Sequence, residues 1–253
     1  MSRVPLGSGW DSDAVLVDGR WVERTARRPA AGAGLEREAR LLPWLARQLP
    51  VPVPEPRLVG RSPVVVRHAL LRGAALDAPA TALGTALGTA LGAFLRALHD
   101  VPLDGAVARG LPDPATTRGW RDRAFDRFAA EVLPRLPDPG PLGERLERLR
   151  AAPAAVLVHG DLRPEHVLVD GGRITGVLDW SDARAGDPAK DLVWPLVETT
   201  PDVAAAVVAA YGADLTDRAR DWHAVAPCYA VVHGLDTGDT ALVHASLEHL
   251  AAG

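Results

Sequence analysis

Residues 156–191 read VLVHGDLRPEHVLVDGGRITGVLDWSDARAGDPAKD and carry the strongest structural signal in the chain. A short apolar strand, Val156–Val158, runs into a polar loop that begins with His159, Gly160 and Asp161. A hairpin is predicted next, because Gly171-Gly172 stands between two apolar runs. The stretch therefore predicts a strand, a loop rich in titratable side chains and a tight hairpin in succession.

Pairing across this hairpin brings polar side chains together. A two-residue loop places His166 opposite Val177. Asp179 then lies two residues beyond that pair, about 7 Å along the strands and about 5 Å across. Asp161 lies in the loop that leads to His166, so Asp161, His166 and Asp179 converge on one spot. One carboxylate can orient an attacking hydroxyl while the other two ligands hold a metal ion, as phosphoryl transfer requires.

The front of the chain predicts a small sheet with one helix. Asp18-Gly19 between apolar runs is a strong hairpin signal. An amphipathic helix is predicted over residues 34–49, broken or kinked near Pro43. Residues 51–56 are too rich in proline to be helical and predict an extended connector. Two more strands are predicted at Leu58–Gly60 and Pro63–Arg67.

After about Gly73 the pattern turns helical and stays so, apart from the central hairpin. Thr81–Gly92 holds three copies of Thr-Ala-Leu-Gly, with the leucines on one helix face and the glycines on an adjacent one. The glycine stripe allows close helix packing, and a slippage repeat in the gene explains it equally well. No function is assigned to it.

Composition excludes several classes of protein. A single cysteine, Cys228, rules out an internal disulfide framework and a cysteine-rich zinc site. We find neither a signal peptide nor an apolar run that could span a bilayer, which predicts a cytoplasmic protein without a membrane partner. No basic stripe with interleaved aromatic residues is present, so nucleic acid is not expected as a partner.

Charge is unevenly distributed along the chain. Residues 1–75 hold 12 Arg against 7 Asp and Glu, whereas residues 76–253 hold 16 Arg and Lys against 25 Asp and Glu. A basic front suits a nucleoside triphosphate, and an acidic rear suits a cationic second ligand. Codon bias toward arginine would produce a similar asymmetry.

The central block resembles the catalytic loop of aminoglycoside and macrolide phosphotransferases. The run from Asp161 to His166 also parallels the Asp-Leu-Lys-Pro-Glu-Asn run of protein kinases. Leu178-Asp179-Trp180 takes the place of the kinase Asp-Phe-Gly, and Gly186-Asp187-Pro188 with Asp191 matches the family's downstream signature. Family members usually have Asn where this chain has His166, and macrolide phosphotransferases resemble it in having His there.

This resemblance implies an α+β, protein-kinase-like fold of two lobes. The expected division is a small antiparallel-sheet lobe that binds the nucleotide, residues 1–72, and a mostly helical lobe for catalysis and the acceptor, residues 73–253. It implies a kinase that moves the γ-phosphoryl group of ATP or GTP to a hydroxyl of a small molecule, with Mg²⁺, or Mn²⁺ in its place.

The resemblance also implies roles for single residues. Asp161 is the expected base, His166 and Asp179 are the expected metal ligands, and Arg163 contacts the phosphoryl group or is merely solvated. His159 is expected to brace the loop by hydrogen bonds. Two further acidic residues are expected to be structural, Asp187 as a helix cap and Asp191 as a tie to the next helix.

Kinases bind phosphate with a lysine in the front lobe. The front of this chain contains no lysine, because the single lysine of the sequence is Lys190. Arg24 falls where the family's basic residue is expected, with Arg27 and Arg28 as alternatives. Its partner follows from periodicity: Glu38 shares the apolar helix face, whereas Glu36 lies on the polar face. A carboxylate that points inward needs a partner, so Glu38 is favoured.

The remaining nucleotide contacts are expected from a turn and a strand. The turn that contains Gly7, Ser8 and Gly9, with Trp10 and Asp11, precedes the first hairpin. Backbone groups from Arg67, His68 and Ala69 are expected to line the purine slot, and the sequence leaves ATP and GTP open.

The acceptor is expected to be cationic, an antibiotic of the macrolide or aminoglycoside type. A kinase of a small metabolite, such as an amino alcohol or a sugar, and an inactive nucleotide-binding pseudokinase remain alternatives. The acceptor pocket is expected to be built from the rear helices. Its candidate residues are Asp122, Asp126, Asp182, Trp194, Glu198, Trp222, Tyr229, His233 and Asp236.

Overall fold

The computed structural model describes residues 2–9, 12–76 and 84–252. Its front part is an antiparallel sheet with the strand order β1-β2-β3-β5-β4. The strands are β1 (Arg3–Ser8), β2 (Ser12–Val17), β3 (Trp21–Ala26), β4 (Arg57–Arg61) and β5 (Val64–Ala69). An antiparallel sheet at the front and a mostly helical remainder confirm the predicted α+β class.

The first hairpin turns where the sequence predicts it. Asp18 and Gly19 both have positive φ, at 52° and 63°, a conformation that favours Asp, Asn and Gly. The predicted glycine turn is shorter than expected, because Gly7 and Ser8 belong to β1 and pair with β2 around a bulge. Gly9 begins the turn, and its Trp10 and Asp11 lie outside the described residues.

One helix, α1 (Pro29–Leu45), packs against the front sheet. It begins five residues before the predicted start because Pro29 fits the first helical turn, where its missing N–H costs nothing. It also ends four residues early. Pro43 lies inside the helix, two residues before its last residue, Leu45. The helix therefore ends soon after Pro43, where a break or kink was predicted.

The rear of the chain is mostly helical, as predicted. The helices are α2 (Thr85–His99), α3 (Leu103–Val107), α4 (Pro114–Arg127), α5 (Gly140–Arg150), α6 (Val193–Val197), α7 (Pro201–Tyr211), α8 (Thr216–Thr237) and α9 (Thr240–Ala252). Residues 81–83 of the Thr-Ala-Leu-Gly repeat lie outside the described residues. The rest of the repeat belongs to α2, which packs on α7.

The rear holds more strands than the single hairpin predicted. They are β6 (Ala74–Ala75), β7 (Val156–Val158), β8 (Val167–Asp170), β9 (Arg173–Val177) and β10 (Arg184–Gly186). β6 joins the edge of the hairpin β8–β9, and β10 pairs with β7. Sequence periodicity missed β6 and β10 because two or three residues are too few to show alternation.

The register of the central hairpin differs by one residue from the prediction. Asp170 pairs with Arg173 as expected, but a bulge opposite the Leu168–Val169 step shifts the ladder, so Val167 rather than His166 faces Val177. The extra residue is Thr175, whose hydroxyl donates to the carbonyl of Arg72 at 2.7 Å. The shift places His166 one residue closer to Asp179 than the regular register would.

One apolar cluster joins the front and rear of the molecule. Leu41, Leu42 and Leu45 of α1 lie in the same cluster as Leu95 of α2 and Trp180. The division at residue 72 stays a prediction, and this shared core crosses it. In the part of the chain that the structure describes, we find no helix with the length and apolar character of a membrane span.

Candidate active site

Asp161 lies in the loop between β7 and β8, with its side chain 41% exposed. The Arg163 guanidinium donates to its carboxylate at 3.2 Å and is itself largely exposed. The remaining carboxylate oxygen carries no hydrogen bond within the described residues. Asp161 can therefore accept a hydrogen bond from a hydroxyl that approaches from solvent.

His159 holds the loop from below, as the sequence predicts. Its ring is fully buried and donates from Nε2 to the carbonyl of Leu178 at 2.8 Å. Nδ1 accepts a long hydrogen bond, 3.4 Å, from the backbone N–H of Asp161. Burial lowers the pKa of His159, which keeps the ring neutral and able to fill both roles.

Asp191 fastens the same loop to the rear helices. Its buried carboxylate accepts from the backbone N–H groups of His159 and Gly160, at 2.7 and 2.8 Å, and from His99 Nε2 at 3.1 Å. Burial alone would raise the pKa of Asp191, but the hydrogen bonds from His99 and from the loop backbone outweigh it and hold the pKa below its ordinary value. The predicted structural tie is thus present.

His166 and Asp179 face each other beside Asp161, with 3.7 Å between Nε2 and the Asp179 carboxylate. His166 Nδ1 lies 2.8 Å from the backbone carbonyl of Asp161. Because a carbonyl can only accept, Nδ1 carries the hydrogen, and in the neutral ring Nε2 then has its lone pair on the side of Asp179. A lone pair and a carboxylate at this spacing suit a cation between them, and the backbone carbonyl orients the ring as it does for metal-bound histidines. The pair fits a divalent metal ion.

The backbone at Asp179 is left-handed, with φ of 59°. Such a conformation at a residue other than glycine costs about 1 kcal/mol or more and is common at functional sites. Two contacts hold it: the Ser181 hydroxyl donates to the Asp179 carboxylate at 3.0 Å, and Arg37 of α1 donates to the Ser181 carbonyl at 2.7 Å. The front helix thus fixes the segment that carries the second candidate ligand.

The structure brings Arg24 and Glu38 together. Arg24 lies in β3, and its guanidinium contacts the buried Glu38 carboxylate of α1 at 2.6 Å. Burial raises the pKa of Glu38, Arg24 opposes that shift, and the charge of Asp179 adds to it. Glu36 instead lies at the surface, 3.6 Å from Arg61. Periodicity therefore selected the inward carboxylate correctly.

A cavity of about 200 Å³ opens between Arg24, Glu38 and Ser181. One carboxylate oxygen of Glu38, Oε1, is buried without a hydrogen-bond partner among the described residues. Arg27 lies at the surface and donates to the carbonyl of Gly9 at 2.9 Å. Arg24 and Arg28 both line the cavity, and Arg24 is ion-paired there with Glu38.

The expected purine-binding strand is β5. Its pairing with β4 ends at Arg57 and Arg67. His68 and Ala69, the last two residues of β5, therefore extend beyond β4. The Arg67 side chain turns away to Glu23, at 2.9 Å from Nε. Burial lowers the pKa of His68, whose ring contacts the carbonyl of Ala69.

Several of the candidate acceptor residues are engaged elsewhere. Trp194 is buried in the core. Arginines neutralise four of the acidic candidates at distances of 2.8 to 3.9 Å, namely Asp122 and Asp126 with Arg150, Asp182 with Arg184, and Asp236 with Arg127. Glu198 lies 3.6 Å from His223. Four of the acidic candidates thus have arginine partners, while the rear sequence as a whole keeps its excess of acidic residues.

Three residues near the loop were missed as site residues. Arg37 adjoins Glu38 in sequence, and its position next to that residue was the available signal. The Arg184 guanidinium lies 3.0 Å from where a side chain on Gly160 would begin. Lys190 is the single lysine of the chain, which could have marked it.

A larger cavity, of about 950 Å³, lies apart from this chemistry. It is formed by α6, α7 and the start of α8, with Leu196, Val208 and Arg220 in its wall. Asp161, His166 and Asp179 do not line it. Because none of these three side chains lines it, we do not assign the acceptor to this cavity.

Comparison with protein families gives one match that spans most of the chain. The model of the phosphotransferase enzyme family matches residues 2–228. A solved macrolide 2'-phosphotransferase from Brachybacterium faecium is 29% identical, with a TM-score of 0.79 over 98% of this chain and 91% of that one. A GDP complex of aminoglycoside 2'-phosphotransferase-IIIa has a TM-score of 0.83 at 24% identity, over 99% and 91% of the two chains. These structures confirm the predicted kinase-like fold.

Curated relatives match over shorter stretches. YcbJ of Bacillus subtilis (strain 168), an uncharacterised protein, is 29% identical over 190 residues, which is 68% of this chain and 61% of that protein. Viomycin phosphotransferase of Streptomyces vinaceus is 38% identical over 122 residues, 44% of this chain and 37% of the enzyme. The chain thus matches less than two thirds of the length of either relative.

Proposed function

Because the chain belongs to the phosphotransferase enzyme family, we propose that it is a small-molecule kinase that transfers the γ-phosphoryl group of ATP or GTP to a hydroxyl. The observation that carries this proposal is the meeting of Asp161, His166 and Asp179 at one loop, with Arg24 and Glu38 next to it. The arrangement supplies a base, a pair of metal ligands and a phosphate-binding cation.

Asp161 accepts the hydrogen of the attacking hydroxyl and points its oxygen at the phosphoryl group. Its carboxylate is half exposed and is oriented by Arg163, while its backbone is fixed by His159 and His166. Orientation matters here because the transition state of phosphoryl transfer is loose and depends on positioning and charge stabilisation.

Arg24 binds the phosphates of the nucleotide and is held in place by Glu38. Arginine replaces the usual lysine, and its planar guanidinium suits phosphate oxygens. His166 and Asp179 would hold the Mg²⁺ or Mn²⁺ ion, which neutralises phosphate charge when bound. The backbone of Arg67, His68 and Ala69 would receive the purine, and the turn at Gly7, Ser8 and Gly9 would cover the phosphates.

The proposed acceptor is an antibiotic of the macrolide or aminoglycoside type. Support comes from the 29% identical macrolide phosphotransferase and from His166, which the chain is expected to share with the macrolide branch. An amino alcohol or a sugar is the alternative acceptor.

The test is phosphoryl transfer from labelled ATP and GTP to a panel of macrolides, aminoglycosides, amino alcohols and sugars. The Asp161→Asn variant should lose transfer about 10²- to 10⁴-fold, the usual contribution of a general base. It should still bind the nucleotide, because Asp161 does not contact the Arg24 and Glu38 pair.

The matched control is Asp170→Asn, the same change at an exposed carboxylate on the far end of the hairpin. Normal turnover by Asp161→Asn would remove that residue from the chemistry. Nucleotide binding by the wild-type protein without transfer to any acceptor would instead favour a pseudokinase.

A further inference from the structure

Lys190 is anchored to the catalytic loop by its neighbour in sequence. It ends the short 3₁₀ turn Pro188–Lys190 and directly precedes Asp191. Asp191 binds the backbone N–H groups of His159 and Gly160, so the position of Lys190 relative to Asp161 is fixed. The charge of Asp161 also acts on the amine of Lys190.

The ammonium group of Lys190 lies over two aromatic rings of α8. It is 5.1 Å from the ring centroid of Trp222 and 5.4 Å from that of Tyr229. The Trp222 indole donates to Asp187 at 2.8 Å, and Tyr229 packs edge-on against Phe128 at 4.9 Å. These rings form a preformed cation site, and the protein's own lysine fills it.

The amine has no carboxylate close to it. Among residues 2–9, 12–76 and 84–252, no carboxylate oxygen lies within the ion-pair distance of 4.0 Å from the Lys190 ammonium. Burial and the charge of Arg184 lower the pKa of Lys190 to about 7. Tyr229 is 43% exposed and Trp222 is buried, so the solvent-facing side of this site is at Tyr229.

Two arginines lie at this end of the loop, each paired with a carboxylate. Arg163 contacts Asp161, and Arg184 lies against Gly160. Arginines also neutralise the carboxylates that the neighbouring helices could offer, which are Asp122, Asp126, Asp187, Asp221 and Asp236. An acceptor amine that approached the two rings would thus meet the Lys190 ammonium, and these five carboxylates are already paired with arginines.

We propose that Lys190 is a specificity-determining residue of the acceptor site. Its positive charge, held over Trp222 and Tyr229, excludes a second amine of the acceptor from this place. The part of the acceptor that lies there is neutral or anionic and presents oxygen atoms. This inference rests on the proposed function, since it takes the cleft beside Asp161 as the acceptor site. Exclusion of the wrong charge is a common source of specificity.

The experiment compares the binding of two probes to the full chain by calorimetry: erythromycin, which carries one amine, and kanamycin, which carries several. Lys190→Met removes the charge and keeps an unbranched side chain over the rings. It should tighten kanamycin binding by about tenfold or more and change erythromycin binding little. Lys190→Arg keeps the charge and should behave as the wild type.

The matched control is Arg173→Met, which removes a positive charge at the exposed end of the hairpin. It should leave both affinities unchanged. Equal changes for both probes in Lys190→Met, or no change for kanamycin, would overturn the proposal. Failure of every variant to bind either probe would also overturn it, because removal of the charge would not have opened the cleft.

A second measurement needs no substitution. Lys190 is the only lysine, so an acetylating reagent at neutral pH modifies only this side chain and the N-terminal amine among the ordinary amines. Acetylation should tighten kanamycin binding as Lys190→Met does. Bound erythromycin should slow the acetylation of Lys190, whereas nucleotide alone should leave its rate unchanged. Protection by nucleotide alone would place Lys190 outside the acceptor cleft and overturn the proposal.

Phosphoryl transfer is measured on the same samples. Altered kanamycin affinity without any transfer would support the role of Lys190 and count against the proposed kinase activity. If the wild type transfers phosphate and Lys190→Met has the same preference between the two acceptors, the kinase activity is supported and the role of Lys190 is overturned.

Discussion

At His166, the two ring nitrogens have different neighbours, and the difference decides what the residue can bind. Nδ1 is committed to the Asp161 carbonyl, which leaves Nε2 opposite Asp179. Imidazole nitrogen is a softer ligand than the amide oxygen of the Asn found in most of the family, and it suits Mn²⁺ and later metals better than Mg²⁺.

The first prediction concerns metal preference. Wild-type transfer with Mn²⁺ should rival transfer with Mg²⁺, whereas His166→Asn should keep substantial activity and shift the preference toward Mg²⁺. Turnover at matched concentrations of the two metals measures this. His244→Asn, at an exposed position of α9, is the control, and identical metal preference in all three proteins would mean that His166 touches no metal.

The second prediction concerns Lys190 and stability. The lowered pKa of Lys190, about 7 instead of the ordinary 10.5, means that the folded protein binds fewer protons than the unfolded chain between these pH values. The free energy of unfolding of the wild type, relative to Lys190→Met, should therefore rise from pH 7 to 10.5 and fall as pH is lowered again. The slope is at most about 1.4 kcal/mol per pH unit.

Denaturant unfolding of both proteins across this pH range measures the difference. Arg173→Met provides the control, since its difference from the wild type should stay flat. A flat difference for Lys190→Met as well would show that the amine is fully hydrated in the folded protein.

At the scale of elements, the pair α2 and α7 shows what the glycine repeat does. A Cβ on Gly92 would lie 2.5 Å from the Val207 carbonyl oxygen, and one on Gly88 would lie 2.9 Å from that of Val203. The two helices therefore approach closely along the glycine stripe. The repeat has a packing role whatever its origin in the gene.

The third prediction follows from this contact. Gly92→Ala should destabilise the protein, because overpacking costs about 1–3 kcal/mol and outweighs the gain of about 1 kcal/mol in helix propensity. Thermal unfolding measures the change. Gly34→Ala in α1 is the matched control, since this glycine is also inside a helix and no atom lies within 4 Å of its added Cβ. A stabilised Gly92→Ala would contradict the tight contact.

For the whole molecule, the shared core has a consequence for unfolding. Leucines of α1 pack in one cluster with residues of α2 and with Trp180, and Arg37 donates to Ser181 across the same junction. The proposed lobes, residues 1–72 and 73–253, would therefore share one core at the nucleotide cleft. Loss of either lobe would expose apolar surface on the other.

The fourth prediction is a single cooperative unfolding transition. Calorimetry of the full chain should give a ratio of calorimetric to van't Hoff enthalpy close to about one, as expected for two-state unfolding. ATP with Mg²⁺ should raise the melting temperature of the transition as a whole. Two resolved transitions, with only the first moved by nucleotide, would mean that the lobes unfold independently.

The amino-acid sequence determined the elements that depend on local spacing. The Asp-Gly and Gly-Gly turns fixed both hairpins, since these residues adopt positive φ at low cost. The distance along the chain from Asp161 to His166, and the hairpin that returns to Asp179, brought these side chains together. Helix periodicity likewise placed Glu38 rather than Glu36 against Arg24.

Tertiary structure alone decided contacts between residues far apart in the chain. The bulge at Thr175 depends on a hydrogen bond to Arg72, and the grip of Asp191 on His159 depends on helix placement. Neither leaves a periodic signal. A count of acidic residues likewise cannot show which of them arginines neutralise. The position of Lys190 over two rings of α8 arises from packing between distant segments, which local spacing does not specify.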